Sequence, residues 1–248
     1  MLFRQSILRF MLLFILLLML AACGGGVKGT PTPITTPASS PTIPPTQEVD
    51  TNLKLPEPRL KSDVSLEETL LKRRSIRQYA DLPLKLSEVS QLLWAAQGVT
   101  DNKGGRTAPS AAAIYPLEIY LVAGKVENLA PGIYQYMPIG HELVKIRDGD
   151  VREELGTASM NQTQVKKGAI DIVIAANYEK VLKRFGENSV KWVYLEGGHV
   201  AQNICLQANA LNLGTVTVGG FTEEQVKSVI GLPSNKGILY VLPVGRKT

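Results

Sequence analysis

Residues 189–211 read SVKWVYLEGGHVAQNICLQANAL. Val190, Val193, Gly197, Val200, Ile204, Ala208 and Leu211 recur at alternating spacings of three and four, which places them on one side of a helix about six turns long. A helix with so long an apolar stripe must be covered along its whole length, so it is expected at the centre of its domain. Just before it, IDIVIAANY at 170–178 is apolar almost throughout, the pattern of a strand buried on both faces. After it, 215–221 and 237–244 read as strands, with a helix at 222–230 between them that opens on a second capping box.

Working further outward, Ser65 and Glu68 form a capping box that opens a helix over 65–74, with Leu66, Leu70 and Leu71 on one side. A second helix spans 87–97, carrying Val89, Leu92, Leu93 and Ala96 at i, i+3, i+4 and i+7 and stopping at Gly98. LEIYLVAG at 117–124 is a strand, GIYQY and HELVKI form a hairpin, and 150–159 is a weaker helix. Strands and helices are interleaved without a repeating βαβ unit, which predicts an α+β domain with helices packed on a mixed sheet.

The first 61 residues do not belong to that pattern. Arg4 and Arg9 precede an unbroken apolar run from Phe10 to Ala22, too short to span a bilayer comfortably, since about 20 residues are needed. The run is expected to be a signal peptide over residues 1–22. Its end, Leu20-Ala21-Ala22-Cys23, resembles the lipobox of bacterial lipoproteins, which implies diacylation of Cys23 and membrane anchoring outside the cytoplasm. Residues 24–61 hold eight of the 15 prolines and many threonines, the composition of an extended tether, leaving 62–248 as the folded domain.

Charge and ligand inventory narrow the function further. The 248 residues are 44% hydrophobic and 20% charged, ordinary for a globular protein. Formal net charge is +5, falling to +3 once Arg4 and Arg9 leave with the signal peptide, which is too little to suggest nucleic acid. Cys205 lies in the long helix without a disulfide partner and reads as a small core residue, and two histidines and one free thiol leave no visible metal site.

One cluster stands apart. Residues 71–79, LKRRSIRQY, carry four cations around one serine where a helix is expected to end. The pattern suits a solvated helix end or a cradle for an anion, because arginine forks and a hydroxyl together match phosphate.

Taken in order, R-R-S-x-R, then R-T-A-P-S before a strand, then the long helix with G-H-x-x-Q-N, then V-G-G-F resembles the flavin-dependent nitroreductase superfamily. QLLWAAQGVT, RTAPSAAAIYPLEIYLV, PGIYQY and EGGHVAQN are most similar to its SagB-type dehydrogenase branch, over nearly all of residues 64–246. The resemblance implies an FMN-dependent oxidoreductase that transfers hydride at flavin N5 and works as a homodimer with flavin at the subunit interface. It implies that Arg73, Arg74 and Ser75 hold the phosphate and ribityl chain and that Arg77 reaches the N1/O2 edge of the ring. Pro109 and Ser110 would lie along the ring and ribityl chain, and the backbone at Gly219 and Gly220 would approach N5. Arg246 would be a second phosphate ligand, or else an exposed tail arginine. His199, Gln202 and Asn203 would stand at the interface or the flavin edge, with no catalytic residue assigned. Azoline-oxidising members tend to carry a Lys-Tyr pair before the long helix, where this chain has Arg184-Phe185-Gly186; neither arginine nor phenylalanine can act as a base there. Outside the cytoplasm NAD(P)H is scarce, which favours an organic substrate or a membrane quinone as electron partner. The other reading is a non-enzymatic surface lipoprotein that binds a flavin or another ligand on the same fold.

Overall fold

The computed structural model describes residues 52–248; the expected signal peptide, Cys23 and most of the expected tether lie outside the described residues. The strands and helices follow in the order β1 (Asn52–Lys54), α1 (Leu66–Lys72), β2 (Tyr79–Ala80), α2 (Leu86–Gln97), β3 (Leu117–Ala123), β4 (Gly132–Met137), β5 (Glu142–Asp148) and α3 (Arg152–Ala158). They continue with α4 (Thr163–Lys167), β6 (Ile170–Asn177), α5 (Glu179–Phe185), α6 (Val190–Ala210), β7 (Leu213–Thr215), α7 (Glu223–Ile230) and β8 (Lys236–Lys247). One sheet takes the order β1-β5-β4-β3-β6-β8-β2, with β7 also paired to β8.

The α+β class holds, but the sheet is antiparallel where a mixed one was expected. Every strand ladder among the described residues is antiparallel. Parallel contact is confined to single bridges, Ser75 with Thr215 and Leu84 with Val126. The cause lies in the connections: β3, β4 and β5 follow one another through short turns, which permit only antiparallel neighbours.

Helices cover both faces. On one, α2 and α6 pack through Leu92, Leu93, Val200 and Ile204 onto Ile119, Leu121, Ile172 and Leu242 of the sheet. On the other, α3, α4 and α7 pack through Leu155, Val165 and Val226 onto Val122, Val173 and Val241. Helix α6 is central as its stripe predicts, and Gly197 decides how closely it sits: a Cβ there would lie 2.6 Å from Leu239 Cδ1.

The domain also begins earlier than residue 62. Residues 52–61, expected to be tether, form an edge strand and a strap. Leu55 is buried and its N–H donates to His141 O, Ser90 Oγ donates to Pro56 O, and Arg59 N–H donates to Gln91 Oε1 at 2.8 Å. Prolines 56 and 58 read as tether, but an extended segment with its carbonyls bonded and one leucine buried is compatible with both. Smaller departures have local causes. Ser65 caps α1 through Glu68 N–H, but the Glu68 carboxylate turns to Lys72 instead of back to Ser65, and Thr222 makes no side-chain cap. The strand expected over 215–221 ends at Thr215, and only Val218 bridges Val241 beyond it.

Two features of the sheet carry measurable energy. Arg246 on β8 meets Glu88 in the first turn of α2 through both forks, each 2.7 Å, while Glu88 Oε2 also accepts the Lys85 N–H at 2.8 Å. This bidentate pair ties the end of the last strand to a helix start. Glu88→Gln and Arg246→Met should each destabilise by about 1–3 kcal/mol in denaturant unfolding, and the double variant should lose less than their sum.

Asp171 on β6 is fully buried, and neither carboxylate oxygen has a hydrogen-bond partner. Burial pushes its pKa well above the ordinary carboxylate range, with nearby Arg152 pulling down and Asp150 pushing up. The folded chain therefore keeps a proton that the unfolded chain has lost. The stability lost at this site begins as pH rises above the unfolded carboxylate value and grows up to the folded one, by at most about 1.4 kcal/mol per pH unit. Asp171→Asn should unfold at higher denaturant than the parent at pH 8, with the gap shrinking at pH 5. An equal gap at both values would show that Asp171 does not hold the proton.

Candidate functional site

The basic cluster falls where α1 ends and the chain turns extended. Lys72 closes the helix and Arg73 caps it with extended geometry. From there the backbone runs to Ser75, which bridges Thr215 of β7, and Ile76 N–H donates to Thr215 O at 2.9 Å. The four cations are used unequally. Arg74 Nη1 donates to the carbonyls of Leu71 at 3.0 Å and Arg73 at 2.7 Å, so Arg74 satisfies the helix C-terminus. Lys72 pairs with Glu68. Arg73 and Arg77 make no side-chain hydrogen bond or ion pair among the described residues. Arg73 is half-buried, near enough to Cys205 that its charge offsets part of the rise that burial imposes on that thiol.

Thr215 adds a second observation. Its hydroxyl is buried with no hydrogen-bond partner. The segment thus offers two guanidinium groups without protein partners among the described residues, the exposed Ser75 hydroxyl and, on the residue Ser75 bridges, an orphaned buried hydroxyl, donor types that suit a phosphate monoester. The residues present fit the phosphate end of FMN.

The Pro109–Ser110 loop is held by the long helix. Thr107 O accepts from Asn203 Nδ2 at 3.1 Å, and Thr107 N–H donates to Gly98 O at 3.0 Å. Glu196 on α6 is buried; burial raises its pKa, while the Ser110 hydroxyl, the Gln97 amide and the charge of Arg106 hold part of that rise back. Ser110 Oγ accepts the Tyr115 N–H at 2.9 Å and closes a tight turn in which Ala112, Ala113 and Tyr115 all have positive φ near 50°. Left-handed backbone at three non-glycine residues is strain that the surrounding contacts must hold. The loop meets α6 at Glu196 and at Asn203, and the basic cluster acts on Cys205 two positions beyond, so one helix serves both.

The other expected residues are placed as follows. Gly219 and Gly220 are exposed and touch neither the cluster nor the Ser110 loop in the contacts described. A Cβ at Gly219 would lie 3.8 Å from Tyr240, and one at Gly220 3.6 Å from Met160 Sδ. Neither has a positive φ, so the chain's own packing does not demand glycine at either position. Gly220 O accepts from Gln162 Nε2 at 2.7 Å. His199 and Gln202 are exposed on α6, while Asn203 is spent on Thr107. Arg246, expected at the phosphate or in an exposed tail, is instead committed to Glu88. Arg184 stands 5.2 Å over the Phe185 ring, which meets Trp192 edge-on at 5.1 Å. Among the described residues no cluster of His, Cys, Asp or Glu could hold a metal ion.

Residue reading from the sequence missed Glu196 and its partner Gln97. The signal was present: a glutamate beside Gly197, within the apolar stripe of a buried helix, is a carboxylate that needs partners.

Comparison with known proteins identifies the family. The profile of the nitroreductase family matches residues 70–246. A protein of Methanocaldococcus jannaschii named as a nitroreductase is 43% identical over 185 residues, covering 75% of this chain and 92% of the relative. The NADPH-flavin oxidoreductase of Vibrio harveyi is 30% identical over 112 residues, covering 42% of this chain and 46% of the relative. A crystal structure named as a nitroreductase from Ralstonia eutropha superposes with TM-score 0.69 at 30% identity, covering 80% of this chain and 90% of that one. The chain belongs to the nitroreductase family, a family of oxidoreductases, and has its fold.

Proposed function

We propose that the protein is an FMN-dependent oxidoreductase of the SagB-type branch, working as a homodimer anchored outside the cytoplasm through lipidated Cys23. The observation that carries this is the half-buried Arg73 without an ion pair, in one segment with Ser75 and Arg77 and with the orphaned hydroxyl of Thr215, which Ser75 bridges. FMN, when bound, supplies two-electron hydride transfer between a donor and an acceptor. Arg73 and Ser75 would hold its phosphate, Arg77 would place positive charge toward the ring, and the Ser110 loop, fixed by Glu196 and Asn203, would position its edge. Positive charge near a flavin ring favours the anionic reduced form and raises the potential. The space left at Gly219 and Gly220 suits close approach of a flat ligand to main-chain N–H groups.

Homodimer formation is supported by apolar side chains left outside: Leu66, Leu70 and Leu71 on α1, with Tyr194 and Leu195 on α6, are all more than half exposed. NAD(P)H is one electron donor, in line with the named activity of the Vibrio harveyi relative. An anchored enzyme is better supplied by an organic substrate, with a quinone or nitro compound as acceptor. The Arg184-Phe185 pair offers no base for azoline oxidation.

The test is an absorbance spectrum of the full chain after incubation with FMN and desalting. Retained flavin bands that bleach on reduction are expected, and a colourless chain after reconstitution would end the proposal. The Arg73→Ala, Arg77→Ala double variant should stay folded and lose FMN affinity at least tenfold. Gly219→Ala should leave stability within about 0.5 kcal/mol, since nothing in the fold occupies the space, yet weaken flavin retention.

A further inference from the structure

A third arginine without an ion pair among the described residues lies away from the basic cluster. Arg106 is half-buried, its guanidinium stacked 4.2 Å from the Tyr115 ring centroid, and of its nitrogens only Nη1 bonds within the described chain, donating to Gln97 Oε1 at 2.9 Å. Burial lowers its pKa, the buried Glu196 carboxylate offsets part of that fall, and Gln97 stands between the two, donating to Glu196 Oε1, so Arg106 makes no direct ion pair among the described residues. Lys180, at the start of α5, also makes no ion pair among the described residues, although its charge acts on Glu196; its Nζ donates to Tyr115 O at 3.3 Å. Both cations therefore touch the same residue, from the ring and from the carbonyl side. Both line one cavity of about 190 Å³.

The rest of the lining determines what would fit. Leu117, Ile119 and Ile139 supply apolar wall. The one acid on the lining, Glu118, is already neutralised: it pairs with Lys236 and accepts the Tyr120 hydroxyl at 2.9 Å. The cavity thus presents two positive groups and an apolar side, with its own negative charge spent. A partly desolvated cation with no partner is costly, and a bound anion removes that cost. A single planar fork with free Nε and Nη2 donors suits a carboxylate, and a cavity below the ~300–1,000 Å³ of drug-sized sites limits the ligand to a compact one.

We infer that this cavity is a binding site for a small carboxylate with a compact apolar body, its carboxylate held by Arg106 and Lys180. The site does not rest on the FMN reading, although Tyr115 joins it to the Ser110 loop, so a ligand here would press on the turn that Ser110 closes.

Calorimetric titration of the full chain with benzoate and with the neutral isostere benzamide tests it. Saturable benzoate binding is expected, with benzamide at least tenfold weaker. Lys180→Gln and Arg106→Gln should each weaken benzoate at least tenfold. Lys180 is exposed, so its variant keeps the test decisive if loss of Arg106 disturbs the loop. No saturable benzoate binding, equal binding of acid and amide, or unchanged affinity in Lys180→Gln would overturn the assignment. Benzoate affinity unaltered in the Arg73→Ala, Arg77→Ala variant would separate this site from the basic cluster.

Discussion

The burial of the apolar stripe of α6 against the sheet governs most of what the rest of the chain can do. At Gly197 a methyl of Leu239 fills the space a side chain would take. Val193, Val200, Ile204 and Ala208 are then buried against the sheet along the same stripe. Once the apolar side is fixed, the polar groups beside it have fixed positions too. Glu196 faces Gln97 and the Ser110 loop, Asn203 binds the carbonyl of Thr107, and Asn209 Nδ2 binds the carbonyl of Thr69 in α1 at 3.0 Å. Segments more than 30 residues apart in sequence are thereby held to one helix. A rigid element with side chains on both edges of its buried stripe can position loops that have little packing of their own.

That arrangement explains why the central architecture was legible in the sequence and its margins were not. The stripe of α6 repeats over six turns, and β6 is apolar at six of its eight residues, so both patterns exceed what a loop would carry. By contrast β1 has three residues and β2 two, too few for any period to register. Helices α4 and α5 have five and seven residues and no side-chain cap, so neither length nor a start signal marks them. The prolines of the strap hid a buried leucine. Sheet direction was lost for a different reason: alternation reports which face is buried and says nothing of the neighbour's orientation.

Legibility within the candidate site divides along the same line. Residue type was readable, since a run of arginines around a serine is visible in the letters. Commitment was not. Arg74 is taken by helix carbonyls and Arg246 by Glu88, 158 positions away, and no local pattern announces a partner at that distance. Glu196 shows the converse, a charged residue on a core-facing helix that could have been flagged from the stripe alone.

Charge compensation then separates arginines that hold the fold together from those that face outward for another purpose. Exposed cations need no partner, because water solvates them at little cost. Half-buried ones do, and among the described residues four arginines are half-buried: Arg73, Arg106, Arg152 and Arg246. Arg152 is paired with Asp150 at 2.6 Å and Arg246 with Glu88 at 2.7 Å, both within the chain. Arg73 and Arg106 make no direct ion pair among the described residues, and Arg106 reaches the buried Glu196 only through Gln97. A chain that pairs two of its four half-buried guanidinium groups directly and leaves two without an ion pair has placed the second pair where something from outside can supply one. One stands beside an orphaned hydroxyl at the end of α1, the other beside Lys180 in a cavity whose only acid is spent. The same physical deficit marks both places, and the different surroundings, hydroxyls in one and apolar wall in the other, are the ground for proposing a phosphate at the first and a small carboxylate at the second.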